Sequence, residues 1–335
     1  MTRTHRPIQG FTIIELMIAL GILGLVVAAV MQTFVAQNHA YTVVDQTTEA
    51  QQSMRAVGSL IEHDIRATGF MVPEAAAACA TDLGNGPDML WVTDADPIDP
   101  TSQTRSQLGA TVQGGFNAAN TGLQTLNVDN VILDGTAYYD TNGDGVADAD
   151  FKPKAGVIVF DADSPQKGTA CGTVENVNPG ANTIRVDFRS KMAAPGAADR
   201  IVVVPAHVYA VDLVTDPQTP SLTRDGMLLA ADVEDLQVAF FYDVDGNGQM
   251  GAAAAENPGS SAGVQYLSSA WDNRSLREIR LNVVVRTRDP DPTNQNGEFQ
   301  TTENRVAVAG NDNFRRRVHT SVVRLRNVGF RGSAS

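Results

Sequence analysis

Several residue types are scarce in this 335-residue chain, and their scarcity excludes some classes of protein. The two cysteines form no Cys-x-x-Cys pair, which argues against thiol redox chemistry and zinc binding. The five histidines form no ligand pair. Lysine and arginine number only 25 against 38 acidic residues, a net charge of −13. Because binding to phosphate backbones requires clustered cations, no nucleic-acid partner is expected.

Proline is absent from residues 11–70, and charge is nearly absent from the first part of that stretch. Residues 11–36 are apolar or glycine with four exceptions, namely Thr12, Glu15, Gln32 and Thr33. About 20 residues of helix cross the roughly 30 Å hydrocarbon core of a bilayer, so this run predicts a membrane span. A carboxylate at the centre of such a span costs about 2.5 to 3.5 kcal/mol. Glu15 therefore needs an explanation, which is either a headgroup-level position or a partner.

The ten residues before the span are polar and basic, with Arg3, His5 and Arg6 and no acid. The positive-inside tendency keeps this end in the cytoplasm and sends the rest of the chain across the membrane. A secretory signal peptide has a similar start, and residues 27–29 resemble a weak cleavage site for one. The apolar run is too long for that alternative, and the acid within it is out of place there.

The stretch GFTIIELMIAL, residues 10–20, resembles the N-terminal signal of type IV prepilins and of type II secretion pseudopilins. It has a basic leader, a glycine, an aromatic residue and a glutamate four positions later. The resemblance implies that a prepilin peptidase cuts between Gly10 and Phe11 and methylates the new amino group of Phe11. Cleavage removes two arginines and lowers the net charge to −15. We expect Glu15 to pair with the Phe11 amino group of an adjacent subunit during assembly, since an unpaired buried carboxylate is costly.

Helical periodicity continues beyond the apolar run and predicts one helix over residues 11–68, ended by Gly69. Its second half is amphipathic, and one face carries Val43, Thr47, Ala50, Met54, Val57, Ile61 and Ile65. The predicted organisation is a leader (1–10), a membrane or filament-core half of the helix (11–36), an amphipathic half (37–69) and a β-rich periplasmic head (70–335).

Short β-like runs follow, separated by clusters of Gly, Pro, Asn and Asp. Predicted strands cover residues 89–94, 156–162, 182–188, 200–213, 233–244 and 277–288. In the last of these, alternation predicts an antiparallel strand with one buried and one solvated face. Residues 94–120 and 289–313 are each predicted to be a long loop or an insertion.

The resemblance extends into the head, where IEHDIRATGF, VEDLQVAFFYDVDGNG, REIRLNVVVRTR and RRRVHTSVVRLRN are similar to segments of PilW-type minor pilins. It implies an α+β, type IV pilin-like fold, with a long N-terminal helix packed on a mainly antiparallel β-sheet head. The implied function is structural and not enzymatic. The chain would be a minor pilin that primes a type IV pilus or lies at its tip, and that contacts major and minor pilins through its helix. Prepilin peptidase and the inner-membrane assembly platform are the other implied partners.

Two other classes of function remain open at this point. One is a pseudopilin of a type II secretion system, which shares much of this plan. The other is an adhesin or enzyme that uses the helix only as a tether. Two short enzyme motifs fail on context, because Gly259–Gly263 lacks the strand and helix of a nucleophile elbow and Ser164–Lys167 is a proline-containing turn.

Two acidic loops have the spacing of calcium ligands. The first offers Asp140, Asn142, Asp144, the Val146 carbonyl and Asp148; the second offers Asp243, Asp245, Asn247 and Gln249. Neither completes an EF-hand loop, and the same residues also suit ordinary turns. No cofactor is required, and Ca²⁺ is the one ion that the pattern fits.

The two cysteines, Cys79 and Cys171, are an even count that is compatible with one disulfide in an oxidising periplasm. Two buried thiols are the alternative. The C-terminal arginines contrast with the acidic remainder of the chain. They are predicted to line the solvent face of a final strand and to offset nearby carboxylates. A subunit-docking surface is the next interpretation and DNA uptake the third. The arginines concerned are Arg315, Arg316, Arg317, Arg324, Arg326 and Arg331.

Overall fold

The fold was analysed in a computed structural model. The structure describes residues 12–70, 72–81, 86–93, 109–131, 151–216, 218–243, 273–294, 297, 302–303, 305 and 312–328. Residues up to Glu49 form one compact unit, and residues from Ala50 onward form a second.

A single α-helix, α1, runs from Ile13 to Ala67, within the predicted 11–68. It ends where Gly69 adopts a φ of +78°, a conformation that glycine enters without steric cost. Within the second unit the helix buries one stripe, made up of Ala50, Val57, Gly58, Ile61, Asp64 and Ile65. From Ala50 onward the predicted apolar stripe is therefore buried, and the carboxylate of Asp64 is buried with it.

The described residues contain thirteen strands. They are β1 (Ala78–Thr81), β2 (Met89–Val92), β3 (Ala110–Gly114), β4 (Gly122–Val128), β5 (Gly156–Asp161), β6 (Thr169–Asn178), β7 (Thr183–Phe188), β8 (Ile201–Asp212), β9 (Ser221–Arg224), β10 (Met227–Ala231), β11 (Val233–Tyr242), β12 (Leu276–Arg286) and β13 (Arg316–Arg324). The pairings between these strands are antiparallel. The predicted α+β fold, a long helix with a mainly antiparallel head, is confirmed.

Six strands close into a ring, which we call the barrel, in the order β8-β3-β4-β7-β6-β5 and back to β8. Its interior is a separate apolar cluster that includes Leu126, Val157, Ile184, Val186 and Val203. Strand β5 is buried along its whole length, because Val157 and Val159 face the interior while Ile158 and Phe160 contact a cluster outside it. None of the four head segments that resemble PilW-type minor pilins lies in β3 to β8.

The remaining strands and the second half of β8, residues 207–212, form what we call the scaffold, together with helix residues 50–67. Strands β1, β2, β9 and β10 flank the second half of β8, and β11-β12-β13 make a three-stranded sheet. The buried stripe of the helix shares one apolar cluster with residues of both groups, among them Tyr209, Leu236, Leu281 and Val323. The helix is thus part of the scaffold's core.

Two strand predictions were wrong. Residues 94–120 were predicted to form a loop, but β3 lies within them, and its few apolar residues hid it from a search for alternation. The predicted solvated face of β12 is largely covered, since Asn282 and Arg286 are buried. Glu303 covers it, accepting hydrogen bonds from Arg280 Nη2 and Asn282 Nδ2, each at 2.6 Å. Strands β1, β4, β6, β9 and β10 were not predicted either.

Gly172 in β6 makes a test of barrel packing. A Cβ atom there would lie 2.7 Å from the Asp187 carbonyl oxygen and 2.9 Å from the Phe188 Cα, both backbone atoms. We expect Gly172→Ala to lower the free energy of unfolding by about 1–3 kcal/mol, the usual cost of overpacking. Denaturant unfolding of the detergent-extracted chain measures it. Gly180→Ala is the matched control, because its nearest neighbour would be 3.5 Å away. Equal stability of the two variants would contradict the described packing.

Candidate assembly site

Glu15 lies in the first turn of α1, where it has a local partner. Thr12 donates to Glu15 Oε2 from its backbone N–H and from its hydroxyl, both at 2.9 Å. The Glu15 N–H donates in return to Thr12 Oγ1 at 3.3 Å. This reciprocal pattern is a capping box, which satisfies N–H groups that a helix start leaves without partners. Sequence reasoning missed it, although the Thr-x-x-Glu spacing was visible. Gly10 and Phe11 lie outside the described residues.

Every side chain from Thr12 to Asn38 is exposed in this single chain. Among them are large apolar ones such as Ile13, Leu16, Met17, Leu25 and Phe34, each more than half exposed. The helix is long and apolar enough to cross a membrane, on length and composition alone. An apolar patch of this extent marks a surface that contacts lipid or other protein.

Asp64 joins the second half of the helix to the scaffold. Its Oδ2 accepts a 2.5 Å hydrogen bond from the Tyr209 hydroxyl in β8 and lies 2.9 Å from Arg224 Nη2 in β9. The carboxylate is only 6% exposed, so it depends on these partners. Burial, followed by the bond to Asp64, raises the pKa of Tyr209, which keeps its hydroxyl protonated as a donor.

The C-terminal part of the chain holds the same helix from another side. Asn327 Nδ2 donates to the carbonyls of Ala67 and Thr68 at 3.2 and 3.3 Å, which caps the helix end. Gly58 permits a close approach of β13, because a Cβ atom there would lie 2.6 Å from the ring of His319. His319 Nε2 is 3.5 Å from Glu62 Oε1. Strands β8, β9 and β13, together with Asn327, thus fix the last part of the helix from Gly58 onward. We call this set of contacts the junction.

The C-terminal arginines divide into two groups. Arg316 is only 6% exposed and contacts both Glu234 and Asp312. Arg315 Nη2 lies 2.6 Å from Asp291, whose pKa falls to about 2 because hydrogen bonds from Thr293 and Arg315 outweigh its burial. The predicted offsetting of carboxylates is therefore present for these two, but Arg316 does not face solvent. Among the described members, Arg317, Arg324 and Arg326 are exposed, and Arg331 lies outside the described residues.

Cys79 in β1 and Cys171 in β6 are joined by a disulfide with Cα atoms 6.3 Å apart. Both are buried in a cluster with Trp91, Ile158 and Phe160, between the barrel and the scaffold. In the chain-entropy model, a closed loop of this length stabilises the fold by on the order of 4–5 kcal/mol. The disulfide therefore fastens the barrel to the strand that follows the helix.

Most of the predicted calcium ligands lie outside the described residues, namely Asp140, Asn142, Asp144, Val146, Asp148, Asp245, Asn247 and Gln249. Asp243 is described, and its Oδ2 lies 3.3 Å from Arg277 Nη2. Within the described part of the chain, no group of three or more His, Cys, Asp or Glu could hold a metal ion. Calcium binding stays a prediction.

Of the two enzyme-like motifs, the structure describes only the Ser-x-x-Lys motif. Lys167 of the Ser-x-x-Lys motif contacts both Asp161 and Asp199 and is held in ion pairs. Its hydrogen bond is the main reason that the pKa of Asp199 falls to about 2. The hydrogen bonds to Asp199 and Asp161 raise the pKa of Lys167, which keeps it protonated and unsuited to act as a general base. Residues 259–263 lie outside the described residues.

The junction predicts how much stability is lost when the Tyr209 hydroxyl is removed. Tyr209→Phe removes the donor to Asp64 and should lower the free energy of unfolding by about 1.5–3 kcal/mol, as for other hydrogen bonds to charged groups. The matched control is Tyr41→Phe, which alters an exposed ring and should change stability by less than about 0.5 kcal/mol. Denaturant unfolding of the detergent-extracted chain tests both, and a cycle with Asp64→Asn isolates the pair. Additive losses in that cycle would refute the coupling.

Comparison with known proteins finds two family matches. Residues 5–31 match the prokaryotic N-terminal methylation motif, and residues 208–327 match type IV Pilus-assembly protein W. No curated protein and no solved structure matches the chain significantly. The first match contains the capping box, and the second contains Tyr209, Arg224, His319 and Asn327 of the junction. Together they support a PilW-type, prepilin-like minor pilin.

Proposed function

We propose that this chain is a structural subunit that primes the assembly of a type IV pilus or lies at its tip. Before assembly its helix spans the inner membrane once, with the head in the periplasm. Prepilin peptidase removes residues 1–10, and the assembly platform then moves the subunit into the filament. There residues 11–36 pack against the helices of the major pilin and of other minor pilins. The pilus at the cell surface is its final location, where a tip position suits a role in cell adhesion.

One observation carries this proposal, which is the run of exposed apolar side chains beginning directly at a carboxylate-capped helix start. A simple anchor needs the apolar run but no carboxylate at its start, because a charge there only adds cost in lipid. A subunit that packs against other helices can use the same charge to fix its register. A pseudopilin would share both features. The match to type IV Pilus-assembly protein W favours the pilus over that alternative.

The first test is of processing. The mature chain should begin at N-methylated Phe11, since the Gly10–Phe11 boundary fits the peptidase signal. Intact mass and N-terminal sequencing of the membrane-extracted protein measure this directly. Gly10→Val, which alters only the residue before the cut, should leave the leader attached. A mature start near Val30 would instead indicate a signal peptide and overturn the proposal.

The second test separates two roles of Glu15. Glu15→Val should insert into the membrane and be cut normally, because the span becomes more apolar, but its amount in sheared pili should fall. Thr12→Ala is the matched control, since it removes the hydroxyl of the capping box and keeps the carboxylate. If Glu15 pairs with the amino group of an adjacent subunit, Thr12→Ala should reach pili at the unmodified level. Equal losses in both variants would assign Glu15 to helix capping alone.

The third test concerns calcium. Binding to either acidic loop should raise the melting temperature of the extracted protein in millimolar calcium relative to chelator, because a ligand that binds only the folded state stabilises it. Asp140→Ala removes one ligand from the first loop, and Asp245→Ala removes one from the second. Both variants leave the Asp243–Arg277 pair intact. Magnesium at equal concentration is the control, since it demands a smaller octahedral site. No shift in the unmodified protein would make both loops ordinary turns.

A further inference from the structure

The barrel is set apart from the rest of the head by its closure and its core. Its ring is complete, so these six strands need no partner from the scaffold to satisfy their ladders. Its interior cluster contains residues between Ala110 and Val203 and none from the helix. The buried helix residues belong to the scaffold's cluster instead. The barrel and the helix therefore do not share a core.

Strand β8 is where the two parts meet, and its partners change within it. Residues 201–206 pair with β5 in the barrel, whereas residues 207–209 pair with β2 and residues 209–212 with β9. The match to type IV Pilus-assembly protein W begins at residue 208, one residue after this change. The match at the other end of the chain stops at residue 31. The barrel strands before that switch therefore lie outside both family matches, while most of the scaffold lies inside one.

The scaffold strands on either side of the barrel are direct neighbours. Strands β2 and β8 are antiparallel, with Val92 opposite His207 and Leu90 opposite Tyr209. Two antiparallel strands in this register need only a two-residue turn to join them. The chain instead leaves β2 after Val92 and returns at His207 with the barrel between. We propose that the barrel is a module inserted at the tip of a β2–β8 hairpin, and that pilus assembly does not require it.

The contact between the two parts is compact and covalently fastened. Trp91 of β2 is fully buried there, and its Nε1 donates to the Gly172 carbonyl of β6 at 2.9 Å. The Cys79–Cys171 disulfide lies in the same cluster. This fastening gives the barrel a fixed position on the scaffold without drawing it into the helix-bearing core.

The end of the barrel opposite the β2–β8 hairpin is formed by three loops, residues 115–121, 162–168 and 189–200. They are tied to one another, because Met192 N–H donates to the Ala118 carbonyl at 3.3 Å and Ala193 N–H to the Lys167 carbonyl at 3.0 Å. Lys167 bridges Asp161 and Asp199 across two of them. These loops are therefore fixed by contacts within the barrel itself, as expected of a module that holds its own structure.

The test replaces residues 94–205 by Asn-Gly, which makes a two-residue turn between Thr93 and Ala206. Cys79→Ser and Trp91→Thr accompany it, because both side chains would otherwise lose their buried surroundings. We expect this short chain to be processed, to unfold cooperatively and to reach sheared pili at the unmodified level. The assembly readout rests on the proposed function, whereas the unfolding readout does not.

The outcomes separate the two proposals. A short chain that unfolds cooperatively yet stays out of pili, when the full chain enters them, would overturn the inference. A full chain that never enters pili would defeat the proposed function, and unfolding would then decide the inference alone. The full chain with only Cys79→Ser and Trp91→Thr is the control for those two changes.

If the short chain does not fold, amide exchange of the full chain decides, since an inserted module predicts that residues 110–206 open as a unit separate from β11–β13. A single shared opening would refute it.

Discussion

The apolar surface on all sides of residues 12–36 is the constraint on which the rest of the molecule depends. Such a surface must leave water, and each large side chain that does so contributes about 1.5–3 kcal/mol. Charge is consequently confined to its ends, with a basic leader and Glu15 on one side and the acidic head on the other. Membrane anchoring and filament packing are two ways of meeting the same requirement.

Where the helix becomes amphipathic, only one stripe of its surface must leave water, instead of the whole surface. The scaffold covers that stripe and places one carboxylate, Asp64, within it. An uncompensated buried charge costs several kcal/mol, so Tyr209 and Arg224 must both reach Asp64 when the scaffold folds. The polar contact therefore specifies the position of the helix along β8 and β9, which apolar packing alone would leave free to slide.

The sequence predicted the helix and its end well, because a 3.6-residue period and Gly69 are local signals. It also predicted β12, whose Ile279, Leu281, Val283 and Val285 alternate clearly. It could not predict the closed barrel, since closure depends on β5 meeting β8 about 45 residues later in the chain. The buried polar face of β12 was missed for a similar reason, as Glu303 reaches Arg280 only through tertiary folding. For the candidate site, the position of Glu15 was predictable and its capping partner was overlooked.

The capping box and a contact between subunits are compatible at Glu15. A carboxylate offers about four acceptor positions, and Thr12 occupies only part of them, on one oxygen. The Thr12 hydroxyl bonds only to Oε2, so a contact made by Oε1 does not depend on that hydroxyl. An amino group from an adjacent chain could approach Oε1 without breaking a bond to Thr12. One oxygen of Glu15 would then serve assembly, while the other keeps the helix start capped before and after the subunit assembles.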